Sequence, residues 1–244
     1  MQIPRIYLPA PLQSGTTIEP DANSFSHSVR VLRLTEGAAL TLFNGEGGEY
    51  AATLCDVEKK RANAALGEYS PRESESPLPI ILGQCISRGE KMDFTIQKAV
   101  ELGVTEIVPL FSERCGVKLD KERSDKRSSH WQSTIISACE QSGRNRLPRL
   151  HTPLTLGEWL GTLEASCKLV LDPGASHSLP QLPRPTKNLA LLIGPEGGLS
   201  DAEINHATRT GFTGIRLGPR ILRTETAGLT VLSAIQLLWG DLGQ

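Results

Sequence analysis

The rhythm of apolar and polar positions changes near residue 80. Before that point the apolar runs are short and strand-like: Ile3–Leu8, Ala38–Phe43 and Tyr50–Val57. Turn-forming pairs separate them, among them Asn44-Gly45 and Gly47-Gly48. One short helix is predicted over Asn23–Leu32. A chain of this length satisfies several short strands best as a small barrel, which closes its own edges. The stretch Glu68–Pro79, EYSPRESESPLP, is polar and carries three prolines. It reads as a connection between two domains.

Beyond it the pattern alternates. Ile80–Ser87 is a continuous apolar run, as expected of a parallel strand covered on both faces. Met92–Leu102 has helical spacing and stops at Gly103; Thr105–Phe111 then reads as a second buried strand. A long helix is predicted over Lys121–Ser142. Further strands are predicted at Lys168–Asp172, Leu189–Ile193 and Thr213–Leu217. Ser200 and Glu203 have capping-box spacing and start another helix. The last helix, Thr226–Trp239, is apolar nearly all round, so it needs cover on most sides, from its own core or from a second subunit. Strands alternating with helices give an α/β domain with a mostly parallel sheet. The domain reading is therefore residues 1–70 as a β-barrel, 71–79 as linker and 80–244 as the α/β domain.

Composition narrows this picture. The chain has 244 residues, 39% hydrophobic and 22% charged, with a formal net charge of -1. Overall charge does not attract a polyanion, so any nucleic-acid contact must come from local patches. One such patch is Glu113–Arg149, with nine Lys/Arg against five Asp/Glu. The five cysteines are widely spaced without a CxxC pair, which disfavours both a disulfide framework and a zinc site. No cluster of metal-ligand residues is visible, so no metal is expected. The N-terminus lacks the pattern of a secretory signal and no apolar run approaches bilayer length, so a cytoplasmic protein without membrane contact is expected.

Two segments carry the chemistry. In the first, the strand ending at Ile193 runs directly into Gly194-Pro195-Glu196-Gly197-Gly198 and then into a capped helix. Strand ends opening onto helix starts are where α/β sheets place ligands, and glycines let backbone approach one closely. The dinucleotide pattern GxGxxG and the P-loop lysine are both absent. In the second, LGPRILRTETA (217–227) follows a strand and opens the last helix, with Arg220, Arg223 and Glu225 beside an apolar helix. Charges there need a partner or a task.

The pair GPEGGLSDAE and LGPRILRTETA resembles the knotted SPOUT class of methyltransferases. Within that class the chain is similar to the ribosomal RNA small-subunit methyltransferase E family, which makes N3-methyluridine in 16S ribosomal RNA. The resemblance extends to His27-Ser28-Val29-Arg30-Val31-Leu32-Arg33, to Lys91, Gln97-Lys98 and Glu101-Leu102-Gly103-Val104, and to Glu140-Gln141-Ser142-Gly143-Arg144. It implies a PUA-like barrel followed by a SPOUT domain with a C-terminal trefoil knot. It also implies S-adenosylmethionine as cofactor, a homodimer, and 16S ribosomal RNA, within the assembled small subunit, as partner.

By that resemblance the cofactor would be held by Leu171, Leu192, Ile193, Gly194, Glu196, Gly197, Gly198, Leu217, Gly218, Ile221, Leu222, Thr224, Thr226 and Ala227. Uridine N3 must lose a proton before it attacks. Arg220 and Arg223 are then the candidates for stabilising the uracil anion, and Glu225, Glu196 or water for accepting the proton. His27, Arg30, Arg33, Arg88, Lys91 and Arg144 are the candidate RNA contacts, with Arg30 and Arg33 expected on one helix face. Two alternatives stay open: a sister SPOUT enzyme acting on ribose 2′-oxygen or transfer RNA, and a non-catalytic RNA-binding ribosome-assembly protein.

Overall fold

The computed structural model describes residues 3–116 and 121–243. Lys118 and Asp120 of the basic segment lie outside the described residues. The described chain forms two compact units: residues up to Glu75 together with Ile136–Leu147, and Ser76–Ile135 together with Pro148 onward.

The first unit holds a five-stranded sheet made from β1 (Arg5–Tyr7), β2 (Thr17–Ile18), β3 (Ala39–Phe43), β4 (Glu49–Cys55) and β5 (Asn63–Ser70). Its order is β1-β3-β4-β5-β2, with β1 parallel to β3 and the other pairs antiparallel. Strand alternation buries Leu40 and Leu42 of β3 and Ala52 and Leu54 of β4 on one face, where they pack with Ile6, Phe25, Ala64 and Leu66. Strands β2 and β5 were not predicted from the sequence, because Thr17–Ile18 is too short and β5 is half polar.

The helix predicted at Asn23–Leu32 is two pieces. Asp21 caps α1 (Ala22–Phe25) by accepting from the amides of Asn23 and Ser24, and the chain continues as a π-helical turn over Ser26–Val31. Arg33 follows the helix end with φ 55°. Arg30 and Arg33 are therefore not on one helix face, because the helix stops between them.

Charged groups tie the inserted segment Ile136–Leu147 into this unit. The Arg144 guanidinium donates to both carboxylate oxygens of Glu75, with Nε at 3.1 and 3.2 Å, and Arg144 is only 3% exposed. Arg5 pairs with Glu49 and donates to Asn145 Oδ1. The Tyr7 amide donates to Glu140, whose burial holds its carboxyl above the ordinary range against the pull of that amide, His27 and Arg5.

The second unit is a parallel sheet built from β6 (Ile80–Cys85), β7 (Glu106–Phe111), β8 (Arg149–Leu150), β9 (Leu154–Thr155), β10 (Cys167–Leu171), β11 (Leu189–Ile193) and β12 (Thr213–Ile215). Its order is β12-β10-β11-β6-β7-β8, with β9 also on β7. Its helices are α2 (Glu90–Glu101), α3 (Lys121–Ser142, whose last turns count with the first unit), α4 (Leu156–Thr162), α5 (Asp201–Arg209) and α6 (Thr224–Trp239). Strands β6 and β11 are buried along their whole length, as their apolar-rich runs require, with Gln84 of β6 the polar exception. Ser200 and Glu203 form the expected capping box on α5; a second one, Thr155 with Glu158, starts α4, which the sequence reading did not pick out.

The Arg144–Glu75 pair generates a prediction. Removing one partner of an enclosed pair strands the other, so Arg144→Met should lower the unfolding free energy by about 3 kcal/mol. Urea titration reads this directly. A loss below about 1 kcal/mol would mean the pair contributes as little as a solvated one.

Candidate cofactor cleft

The carboxyl ends of β10, β11 and β12, neighbours in the sheet, open onto one cleft of about 960 Å³. That is where a parallel sheet leaves backbone groups pointing at a ligand. The residues expected there from β10 and the first loop converge on it: Leu171, Ile193, Gly194, Glu196, Gly197 and Gly198. From the second loop come Leu217, Gly218, Ile221, Leu222, Thr224 and Ala227, and both arginines, Arg220 and Arg223. Gly198 and Gly218 have φ of 69° and 65°, and a side chain added to either would meet open space. Both loops thus turn bare backbone toward the cleft in a conformation that disfavours other residues.

Three expected residues do not line it. Leu192 is fully buried in the core, because strand alternation turns it away from the face that Ile193 presents. Thr226 lies exposed on α6, off the side shared by Thr224 and Ala227. Glu225 also sits outside the lining. Conversely, Asp172, Pro173, Asp201 and Arg216 line the cleft without having been expected. The strand-end argument that selected Leu171 extends to Asp172-Pro173 one residue later.

A single hydroxyl joins the two loops. Thr224 Oγ1 donates to Gly194 O at 2.6 Å and accepts from Gln84 Nε2 at 3.2 Å. Gln84 is fully buried on β6, and its amide also donates to Cys85 O at 2.9 Å. The first loop is braced from its other side by Arg114, whose guanidinium donates to Gly197 O and Leu199 O.

Charge is organised around Lys91. Its ammonium stands 3.7 Å from Glu196 Oε1 and 3.9 Å from Glu225 Oε1, at the cleft edge. Partial burial acts to raise the Glu196 carboxyl, but the Arg88 amide, its own backbone amide and Lys91 outweigh it and hold the group below the ordinary range. The other Glu225 oxygen is enclosed and accepts no hydrogen bond. Arg220 and Arg223 are exposed and, among the described residues, make neither an ion pair nor a side-chain hydrogen bond.

The remaining candidates separate. Arg88 belongs with the second unit and is exposed. His27, Arg30, Arg33 and Arg144 belong to the first unit. His27 is half-exposed, 3.6 Å from Glu140, while Arg30 and Arg33 are exposed. Arg144 is the correction: its guanidinium is enclosed and committed to Glu75, so it is not presented to a phosphate. Among the described residues no group of side chains is arranged to hold a metal ion, and no helix is long and apolar enough to cross a membrane.

Comparisons with known proteins follow the same two-part division. An RNA methyltransferase domain matches residues 74–236, and an RNA methyltransferase PUA domain matches residues 20–66. The chain is 39% identical to the ribosomal RNA small subunit methyltransferase E of Buchnera aphidicola subsp. Schizaphis graminum, covering 99% of this chain and 98% of that one. It is 31% identical to its Bacillus subtilis namesake, covering 94% and 95%. A methyltransferase from Legionella pneumophila, solved with bound S-adenosylmethionine, superposes with TM-score 0.97 at 43% identity, over 99% of this chain and all of that one. The Neisseria gonorrhoeae ribosomal RNA small subunit methyltransferase E, also bound to S-adenosylmethionine, superposes with TM-score 0.93 at 42% identity and the same coverage.

The Thr224 hydroxyl can be tested separately from the rest of the cleft. Thr224→Val strands the Gly194 carbonyl and the Gln84 amide, at a cost of about 2 kcal/mol. Calorimetry should show weaker S-adenosylmethionine binding, and Thr224→Ser should restore it. Equal affinity in the valine variant would show that the loops hold their positions without this bond.

Proposed function

The chain belongs to the ribosomal RNA small subunit methyltransferase E family, and on that premise we propose that it methylates N3 of uridine in 16S ribosomal RNA, using S-adenosylmethionine. The observation that carries this reading is the cleft, which joins bare glycine backbone, apolar walls and two exposed arginines at three adjacent strand ends.

The cleft suits the cofactor chemically. Ile193, Leu217 and Leu222 offer apolar walls to a flat adenine, and the backbone around Gly198 and Gly218 offers hydrogen-bonding groups. Asp172, Glu196 and Asp201 bring negative charge to the same space, where the cofactor is cationic. When bound, S-adenosylmethionine supplies an electrophilic methyl group on a sulfonium.

The protein's own part is positioning and charge. Uridine N3 lies on the Watson–Crick edge, so the base must leave its pairing to enter the cleft. Arg220 and Arg223, without an ion pair among the described residues, stabilise the charge on the uracil oxygens once N3 loses its proton. Glu225 serves to hold Lys91, since its free oxygen is enclosed. Glu196, held ionised by its neighbours and part of the cleft lining, is a carboxylate that accepts the N3 proton, directly or through a water.

We read the fold around the cleft as a trefoil knot, although knots are very rare. After β12 at the sheet edge, the chain returns across β10 and β11 to pack α6 against α2. The segment between β10 and β11 closes over it: the turn at Leu179–Gln181 packs on α6, and Arg184 donates to Trp239 O at 3.0 Å. The five-stranded unit, which takes in Ile136–Leu147 and reaches Glu75, is the PUA-like barrel expected over residues 1–70, and the remainder of 80–244 is the SPOUT domain. The protein acts in the cytoplasm as a homodimer. Exposed Phe94 on α2 and exposed Leu237 and Leu238 on α6 form the apolar surface for the second copy.

Nucleoside mass spectrometry of 16S ribosomal RNA from cells with and without the protein should show N3-methyluridine only with it, and assembled small subunits should be better substrates than naked transcript. No difference in that nucleoside would remove the proposed activity. Replacing both Arg220 and Arg223 with Ala should lower kcat about a hundredfold with little change in cofactor affinity.

Sedimentation at micromolar concentration should give a dimer, and Leu238→Asp a monomer. A monomeric wild type would leave the α6 surface unexplained by self-association.

A further inference from the structure

Between Val29 and Leu34, which pack against the core of the first unit, four consecutive residues are exposed on its surface: Arg30, Val31, Leu32 and Arg33. Val31 is 68% exposed and Leu32 39%. Isolated exposed apolar residues need no explanation, but these two are adjacent and bracketed by arginines.

The backbone is built to push them out. The Leu32 amide donates to His27 O at 2.9 Å, five residues back, and the Leu34 amide reaches Ser28 O at 3.0 Å. Such wide turns are rare, occur mostly as single-turn bulges in helices, and are frequent at functional sites. Arg33 then takes a left-handed conformation, uncommon for any residue but glycine. The base of the turn is fixed from inside, where the buried Ser28 hydroxyl donates to Ser24 O at 2.8 Å. The Arg30 guanidinium lies 5.6 Å from the centre of the Phe25 ring, which sets its direction. Among the described residues neither Arg30 nor Arg33 makes an ion pair.

We infer that Arg30–Arg33 is a recognition knuckle for RNA, in which Val31 and Leu32 pack against an unstacked nucleobase while Arg30 and Arg33 take phosphates on either side. This rests on the RNA-substrate reading above and adds the kind of RNA the first unit takes. Two apolar residues are too small a surface for a stable protein interface. They match the apolar wedges that proteins push between bases, and unpaired cations at both ends suit a phosphate chain. A duplex does not satisfy the arrangement, since its bases are stacked and its major groove is too narrow for side chains.

The test uses the full-length protein and two RNA probes: a hairpin with 2-aminopurine in an unpaired loop, and a fully paired duplex. Val31→Ser with Leu32→Ser should weaken binding to the hairpin about tenfold, within the range for one lost base contact. It should abolish the 2-aminopurine response, leave duplex binding unchanged and keep the salt slope. Arg30→Ala with Arg33→Ala should instead reduce the slope by about one to two on both probes. Arg33→Gly, which relieves the left-handed strain, should keep or raise Tm while weakening RNA binding. Unchanged hairpin affinity in the serine variant, or equal losses on hairpin and duplex, would overturn the wedge. So would intact RNA binding with poorer methylation of assembled subunits, which marks a protein dock. If the wild type methylates no ribosomal RNA, it is the proposed activity that fails, and binding to the hairpin still decides the knuckle on its own.

Discussion

Thr224 is the first residue of α6, and its hydroxyl is shared between Gly194 O and Gln84 Nε2. Those two bonds connect β6, the loop after β11 and the start of α6. The Gln84 amide cannot be turned around, since its oxygen would then face the Cys85 carbonyl. This orientation leaves Gln84 Oε1 enclosed without a donor, a standing cost that the network accepts to keep its donors placed. Arg114 secures the first loop from the opposite side, so Gly197 and Leu199 are held at their carbonyls while their amides stay available. A cleft made of glycine backbone has few side chains to give it shape. Its shape comes from these peripheral bonds.

The first unit uses charge differently. Arg5, Glu49, Glu75, Arg144 and Asn145 form a polar seam inside it, and Tyr7 and Glu140 continue that seam. These groups are spent on one another. Cations left over for a polyanion are those on the surface, Arg30 and Arg33 among them. In a chain with net charge -1, burial thus separates the charges paired inside the unit from those left on its surface. Burial also pushes up the thiols of Cys139 in this unit and of Cys85 in the core of the second, each to about 12, so both stay protonated as core residues.

Local sequence determined most of the second unit. The apolar-rich runs of β6 and β11, the capping box at Ser200 and the glycine-rich strand ends were legible because each is a property of neighbouring residues. The two cleft loops were legible for the same reason, since a strand running into glycine and then a helix cap is a local pattern. The short strands β2, β8 and β9 were not, because two residues carry no periodicity and only a partner strand defines them.

Tertiary structure alone decided what each charged residue is for. Arg144 and Arg30 look alike in sequence, one in a basic segment and the other in a helix, yet the first is enclosed and paired with Glu75 while the second is exposed. Leu192 and Ile193 are consecutive apolar residues, and only the placement of the strand within the sheet assigns one to the core and the other to the cleft. Glu225 lies beside Thr224 in the chain but outside the cleft lining, with Lys91 from another helix between it and Glu196. The sequence determines which backbone patterns form. Whether a side chain meets solvent, ligand or another charge depends on residues far away in the chain, since burial and pairing are set by packing.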